Sequence, residues 1–269
     1  MTGIERIGAA FQPGRTAFMP YTVLGYPTHD IALQVVQTVV AAGADLLELG
    51  VPFSDPLADG PTIQAATQRA LENGVTLCGC ISMVAELRRR GVETPALLMG
   101  YVNPILAYGI QRFAADSAAV GLDGFIVPDL PPEEADELQE ACQRHGLALV
   151  YLLAPTSSPE RVALVAAKSQ GFIYLVSLTG VTGARDTLPP GLADFVSRVR
   201  AVARKPLAVG FGIGSGKQAR AVAQLADGVI VGSALVQQAG KSLESVRMLA
   251  GELRQALDAS DSQRVQKNP

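Results

Sequence analysis

Three carboxylates stand together in the stretch LELGVPFSDPLADGPTIQ, residues 47–64. Glu48 lies inside an otherwise apolar segment, and Asp55 and Asp59 follow it among three prolines. A carboxyl group in apolar surroundings keeps its proton to a higher pH than in water, so it can act as a general acid and base. Two alternatives stay open: Glu48 could pair with a loop amide or an arginine, and Asp59 could simply hold a turn.

A glycine-rich stretch, VGFGIGSGKQ at residues 209–218, is the second feature that could take part in chemistry. It fails the Walker spacing because Phe211 stands where that motif needs its first glycine, and it fails the dinucleotide spacing at Ser215. Gly232 and Ser233 form a similar step between an apolar run and a helix. Free backbone amides at two such steps suit a phosphate monoester, and the alternative is that they are turn glycines without a ligand.

Other catalytic chemistries lack their partners in this sequence. There is no G-x-S-x-G elbow, and His29 and His145 stand at predicted helix ends, so a Ser-His-Asp triad has no base. A Schiff-base aldolase needs a lysine at the carboxyl end of a strand, but Lys205 precedes a strand and Lys217 falls in a helix turn. The cysteines and histidines lack the spacing of a metal site. Carboxylate acid–base chemistry on a phosphorylated substrate remains.

The elements that must position these residues alternate along the chain. Short apolar runs rich in Val, Ile and Leu predict strands buried on both faces, as in a parallel sheet, and amphipathic runs between them predict helices. Eight such units without a break in composition favour an α/β fold, a single (β/α)8 TIM barrel. The predicted strands begin near Ala17, Asp45, Ala96, Gly124, Ala148, Phe172, Pro206 and Gly228.

The barrel prediction also fixes the ends of the domain and the place of the site. An extra helix over Ile4–Phe11 is expected to cap the bottom of the barrel, which would occupy residues 1–258. The polar segment 259–269 is expected to be a disordered tail. In this fold, active sites lie at the carboxyl ends of the strands, with phosphate often held after strands seven and eight. The carboxylates and both glycine steps fall at those ends.

Composition excludes several classes of partner. The 269 residues are 48% hydrophobic and carry a net charge of −3 without a long basic cluster, so nucleic acid and anionic membranes are poor partners. No stretch approaches the roughly 18 uncharged apolar residues of a membrane span. The N-terminus has no basic region followed by an apolar core, so we expect a cytoplasmic protein.

The stretch LELGVPFSDPLADGPTIQ resembles the signature of the tryptophan synthase α chain family. Further stretches match in the same order: MPYTVLGYP, MGYVNPI, GLDGFIVPDLPPEE, YLVSLTGVTGAR, GFGI and GVIVGSALV. The resemblance extends over Ile4 to Asp258. It implies a lyase of L-tryptophan biosynthesis that cleaves indole-3-glycerol phosphate by a retro-aldol step to indole and glyceraldehyde 3-phosphate.

The resemblance also implies roles for individual residues. Glu48 would be the catalytic acid–base, and Asp59 its partner, accepting a hydrogen bond from the indole N–H. The substrate-binding residues that it implies are Tyr21, Met99, Tyr174, Thr182 and Phe211. The phosphate-binding residues that it implies are Gly183, Gly212, Gly232 and Ser233.

A partner is implied in the same way. The family works with a β chain that holds pyridoxal phosphate and receives indole through a tunnel in an α2β2 heterotetramer. No cofactor or metal is implied for this chain itself. The loops after strands two and six would close over the substrate. The residues expected to face the β chain are Pro52, Asp55, Pro56 and Asn103.

Two departures from the family pattern stand out. The strand-seven loop carries GSGKQ, with the additional glycines Gly214 and Gly216, where a Ser-x-x-Gln/Glu run is expected. Val102 stands where the family often has an aromatic residue. The roles of the two glycines and of Lys217, which we expect to face solvent, stay open.

Overall fold

The computed structural model describes residues 1–177, 190–210 and 212–267, and their side chains through residue 262. Its centre is a sheet of short strands in which almost every residue is buried. The strands are β1 Ala17–Val23, β2 Leu47–Gly50, β3 Ala96–Met99, β4 Gly124–Ile126, β5 Ala148–Val150, β6 Leu152–Leu153, β7 Ile173–Val176, β8 Leu207–Gly210 and β9 Gly228–Val231.

These strands close into a barrel. They form one sheet in the order β5-β4-β3-β2-β1-β9-β8-β7-β6, with every pair parallel. β5 and β6 are consecutive pieces of one strand interrupted at Tyr151, whose N–H donates to the Ser169 hydroxyl (3.1 Å). The chain itself therefore joins the two edges of the sheet. The predicted (β/α)8 barrel is confirmed, with its fifth strand in two pieces.

Helices connect the strands and cover the outside of the barrel. They are α1 Gly3–Ala9, α2 His29–Ala41, α3 Pro61–Glu72, α4 Leu77–Arg89, α5 Val102–Tyr108, α6 Ile110–Ala119, α7 Asp136–Arg144, α8 Pro159–Lys168, α9 Leu192–Arg200, α10 Gly216–Ala223, α11 Ser233–Ala239 and α12 Leu243–Lys267. Across the described ranges, no single helix has the length and hydropathy of a membrane span. Among the described helices, only α3 and α4 taken together have that length and hydropathy, and the pair is bent by 93°.

The apolar side chains divide into two cores because successive strand residues point to opposite faces. One core fills the space between the sheet and the helices, and Phe18, Leu47 and Leu49 belong to it. The other lies inside the barrel and includes Met19 and Leu97. A residue on the inner face is therefore enclosed by strands on all sides.

Helix α1 closes the bottom of the barrel, as predicted. The Phe11 ring that follows it lies 5.6 Å from the ring of Phe172, just before β7. The Gly3 N–H donates to the Gly146 carbonyl (2.8 Å), just before β5. Thr2 and Glu5 form a capping box that fixes the start of the helix. Among the described residues, α1 and Phe11 therefore cover the amino-terminal end of the barrel, opposite the predicted site.

A fourfold repeat of side-chain hydrogen bonds holds the same end of the sheet. A polar side chain stands just before β2, β4, β7 and β9, which are the second, fourth, sixth and eighth strands of the barrel. Each of these side chains accepts the backbone N–H at the start of the barrel strand that precedes it in the chain. Such a bond satisfies a buried donor that the ladder leaves unpaired. The acceptor–donor pairs are Asp45 with Phe18 (2.8 Å), Asp123 with Ala96 (2.8 Å), Gln170 with Leu149 (3.1 Å) and Asp227 with Leu207 (2.8 Å).

The expected disordered tail from residue 259 is wrong for the described residues. Helix α12 continues through Lys267. Asp261 is buried and accepts hydrogen bonds from both the N–H (2.9 Å) and the hydroxyl (2.7 Å) of Thr16, just before β1. Ser260 is also buried and pairs with Gln224. The polar composition suggested solvent exposure, but two of these polar groups serve as buried hydrogen-bond partners.

Candidate active site

Glu48 points into the barrel, and no described residue pairs with its carboxyl group. Its neighbours Leu47 and Leu49 belong to the outer core, so the alternation of the strand turns Glu48 inward. The side chain is 1% exposed, and neither carboxyl oxygen has a hydrogen-bond partner among the described residues. Burial, and then the charge of Asp59, raise the pKa of Glu48 to about 8. Glu48 therefore holds its proton at neutral pH.

Two tyrosines flank Glu48, and two glycines make room for them. Tyr21 on β1 is the register partner of Glu48. A Cβ on Gly50 would lie 2.2 Å from the Tyr21 hydroxyl, and one on Gly210 would lie 2.4 Å from that of Tyr174. Burial, and then nearby carboxylates, raise the pKa of both tyrosines well above the ordinary value. Both phenols are therefore neutral groups of the wall around Glu48.

Asp59 lies in the loop between β2 and α3 and is held by a residue from the next strand end. The Tyr101 hydroxyl donates to Asp59 Oδ2 (3.1 Å) and accepts the N–H of Ala58 (3.0 Å). Burial raises the pKa of Asp59 above its ordinary value, and the hydrogen bond from Tyr101 offsets part of that rise. This contact is not apparent in the sequence. Its one signal is the position of Tyr101 at the end of the third predicted strand.

The apolar part of the site is built from the inner core. Met99, the last residue of β3, is buried and is the register partner of Gly50. Met99, Tyr21 and Tyr174 all belong to the cluster inside the barrel. The structure thus places these three predicted substrate-binding residues on the inner face of the barrel, as it does Glu48. Thr182, Gly183 and Phe211 lie outside the described residues.

The remaining predicted phosphate ligands follow two adjacent strands. Gly212 follows β8 and has φ +76°, a left-handed conformation that favours glycine. Gly232 follows β9, and a Cβ there would lie 3.5 Å from the Tyr21 ring. Ser233 begins α11 and is exposed. All three residues lie at the carboxyl end of the barrel, and their binding of phosphate stays a prediction.

Gly214 and Gly216 have structural explanations. A Cβ on Gly216 would lie 3.0 Å from the Cβ of Ala256, so glycine lets α10 approach α12 closely. The Gly216 N–H also donates to Glu252 Oε1 (2.8 Å). The Gly214 N–H donates to Gln218 Oε1 (2.8 Å), which fixes the turn before α10. Lys217 is exposed.

The predicted partner-facing residues occupy different depths. Asp55 and Asn103 are exposed and Pro56 is half-buried, whereas Pro52 is buried. Pro52 therefore supports the loop from beneath and does not form its surface. Asn103 lies in the first turn of α5, although its sequence was typical of a turn. Leu57, which is not among the predicted partner-facing residues, is 91% exposed at the tip of the same loop.

The carboxyl groups of Glu48 and Asp59 are the chemical groups that proton transfer requires. Among the described residues, Glu48 is buried without a hydrogen-bond partner, whereas Asp59 is partly exposed and accepts a hydrogen bond that opposes the rise in its pKa caused by burial. Within the described ranges, no three His, Cys, Asp or Glu side chains are grouped to hold a metal ion.

Comparison with known proteins gives a consistent result. A sequence model described as tryptophan synthase alpha chain matches residues 8–263. The tryptophan synthase alpha chain of Chloroflexus aggregans is 54% identical over 235 residues, which cover 87% of this chain and 88% of that protein. The Dehalococcoides mccartyi protein of the same name is 50% identical over 257 residues, covering 95% and 100%.

Solved structures agree. A chain of Mycobacterium tuberculosis tryptophan synthase superposes with a TM-score of 0.86 at 41% identity, covering 95% of this chain and 96% of that one. The tryptophan synthase subunit alpha of Legionella pneumophila gives 0.87 at 38% identity, covering 96% and 99%. The resemblance seen in the sequence is confirmed. The chain belongs to the tryptophan synthase α chain family, whose reaction is the cleavage of indole-3-glycerol phosphate to indole and glyceraldehyde 3-phosphate.

Proposed function

We propose that Glu48 is the general acid and base of this lyase reaction and that Asp59 stabilises the charged indole. The state of the Glu48 carboxyl group carries this proposal. It is buried, it lacks a hydrogen-bond partner among the described residues, and its pKa is about 8. An unpaired buried carboxyl group destabilises the fold, so its presence at the open end of the barrel supports a role in chemistry.

In the first step, Glu48 donates its proton to C3 of the indole ring. Protonation makes the ring an electron sink, the part that a lysine imine plays in other aldolases. Positive charge then develops on the ring nitrogen. Asp59 accepts the hydrogen bond of the indole N–H and stabilises that charge.

In the second step, the carboxylate left on Glu48 removes the proton of the side-chain hydroxyl next to the ring. The electrons of the O–H bond form the carbonyl of glyceraldehyde 3-phosphate. The electrons of the breaking carbon–carbon bond return to the ring, which leaves as neutral indole. Glu48 ends the cycle protonated, so no external acid or base is consumed.

The other predicted residues bind the substrate. Tyr21, Met99, Tyr174, Thr182 and Phe211 would enclose the indole ring. Gly183, Gly212, Gly232 and Ser233 would hold the phosphate with backbone amides and a hydroxyl group. The adjacency of β8 and β9 supports this assignment, because it brings the last three of these residues to neighbouring strand ends.

The family implies a β chain that carries pyridoxal phosphate, and this chain itself needs no cofactor. The exposed tip of the β2–α3 loop with Asp55, Pro56 and Leu57, together with Asn103, would form the docking surface. A cytoplasmic α2β2 heterotetramer, with indole passed directly from chain to chain, completes the proposal. Residues 1–258 would supply its catalytic barrel domain.

An assay of indole release tests the function. The chain is supplied with indole-3-glycerol phosphate, alone and with a tryptophan synthase β chain, and indole and glyceraldehyde 3-phosphate are measured. We expect equal amounts of both products, released faster with the β chain. Full turnover without the β chain would instead indicate a stand-alone lyase. If no cleavage occurs in either mixture, the proposed function is contradicted. The chain would then be an activator of the β chain or a different phosphosugar enzyme.

A further inference from the structure

Tyr101 contacts the β2–α3 loop at three places. Its ring lies 5.3 Å from the ring of Phe53. Its hydroxyl accepts the N–H of Ala58 (3.0 Å) and donates to Asp59 Oδ2 (3.1 Å). Tyr101 is 5% exposed, whereas Phe53 and Asp59 are half-buried and Ala58 is exposed. One side chain thus fixes both the path of the loop and the direction of the Asp59 carboxylate.

The backbone around Tyr101 is itself anchored to the neighbouring strand. The Gly100 N–H donates to the Ile126 carbonyl on β4 (3.1 Å). The Val102 N–H donates to Asp129 Oδ1 (3.0 Å), beyond the end of β4. Tyr101 therefore stands on a fixed part of the barrel, whereas the loop that it holds projects from the surface.

Both segments expected to face the β chain are connected directly to Tyr101. The exposed loop tip at Asp55 and Leu57 lies between Phe53 and Ala58, which Tyr101 contacts. On the other side, exposed Asn103 follows Tyr101 by two residues in the first turn of α5. Displacement of the loop tip on docking would move Ala58 and Asp59, the partners of the Tyr101 hydroxyl, and displacement of Asn103 would move Tyr101 itself.

We propose that Tyr101 is a positioning residue that orients Asp59 and couples docking of the β chain to it, an inference that rests on the proposed function. Nothing in the reaction requires Tyr101 to touch the substrate. Its hydroxyl acts through Asp59, by aiming the carboxylate and by favouring its ionised form with a hydrogen bond. Ionised Asp59 is the form that can accept the indole N–H.

The Tyr101→Phe variant isolates the hydroxyl group. Phenylalanine keeps the ring contact with Phe53 and removes both hydrogen bonds. We expect kcat for indole release to fall about tenfold, the size expected for one hydrogen bond to a charged group, with KM changed less than about twofold. We also expect a smaller acceleration by the β chain than in the wild type. Tyr108→Phe is the matched control, because it removes a tyrosine–aspartate bond (to Asp116, 2.7 Å) outside the site.

The pH profile separates positioning from a structural role. Loss of the bond raises the pKa of Asp59, so the acid limb of the kcat/KM profile should move to higher pH in Tyr101→Phe but stay in place in Tyr108→Phe. Among the described residues, the other titratable groups that interact with Asp59 are Glu48, Tyr21 and Tyr174, and none of the groups that shift these pKa values is cationic.

A double-mutant cycle decides the inference. In an Asp59→Asn background, Tyr101→Phe should cause little further loss, because both substitutions act on one interaction. If Tyr101→Phe keeps the wild-type pH profile, the wild-type turnover and the wild-type response to the β chain, the inference is overturned and the proposed function stands. Independent losses in the cycle would also overturn it. A wild-type chain that releases no indole would instead refute the proposed function.

Discussion

At the scale of single residues, the site depends on one carboxyl group kept out of water. Glu48 is fully enclosed and lacks a hydrogen-bond partner among the described residues, so the fold tolerates it far better as a neutral acid than as a carboxylate. Burial that destabilises the charged form is also what holds the proton ready at neutral pH. Stability and acidity at this position are therefore linked.

That link predicts a pH-dependent effect of Glu48→Gln on stability. The folded pKa of about 8 lies above the ordinary value of 4.5, so wild-type stability falls as the pH rises through this range. Glutamine does not titrate. The stability advantage of the variant should therefore grow by about 1.4 kcal/mol per pH unit across the range and then level off.

Urea unfolding at several pH values between 4.5 and 9 measures this difference. Glu72→Gln, on the exposed part of α3, reports the effect of removing a surface charge. A constant difference between Glu48→Gln and wild type at every pH would contradict the raised pKa.

At the scale of elements, the two ends of the barrel have separate tasks. The carboxyl ends of the strands carry the candidate site, and the opposite end carries the fourfold set of side-chain hydrogen bonds. Asp123 is one of the heavily bonded members, since it accepts the Ala96 N–H (2.8 Å) and pairs with Arg6 (3.1 Å) and Arg88 (3.0 Å). These bonds join α1, α4 and two strands, so we expect them to support the fold and not the chemistry.

Asp123→Ala should therefore destabilise the protein with little effect on catalysis. It leaves a buried N–H without its acceptor and takes the carboxylate partner from two arginines, which keep only backbone carbonyl acceptors, and the expected loss is about 3 kcal/mol. Urea unfolding measures the loss, and indole release per folded molecule should stay within about twofold of wild type. Asp116→Ala, at a largely exposed ion pair, is the control and should change stability by less than about 1 kcal/mol. A catalytic defect in Asp123→Ala at full folding would contradict the separation of the two ends.

At the scale of the whole molecule, patterning predicted the architecture well. Every predicted strand is present, because buried parallel strands leave continuous apolar runs in the sequence. The interruption of the fifth strand at Tyr151 was not predictable from the sequence. There the Tyr151 N–H donates a hydrogen bond to the hydroxyl of Ser169, which follows α8. The tail prediction failed for a similar reason. Polar composition does not distinguish a solvated side chain from Asp261, which is bonded to Thr16 far away in the chain.

The site shows the same limit. Glu48 was conspicuous because it is a charged residue within an apolar strand, and burial in the structure explains that contrast. Tyr101 gave no such contrast, because its bond to Asp59 joins two loops that only the closed barrel brings together. The roles of all these residues in catalysis and binding remain predictions that activity measurements must test.

The most direct measurement is single-turnover indole release from indole-3-glycerol phosphate by the Glu48→Gln variant in complex with a β chain. Glutamine keeps the size of the side chain but has no acidic proton. If Glu48 transfers both protons, the rate should fall by about 1,000-fold or more, while the folded state and binding of the β chain persist. A rate within about tenfold of wild type, in a variant that is folded and bound to the β chain, would show that the proton comes from elsewhere and contradict the mechanism.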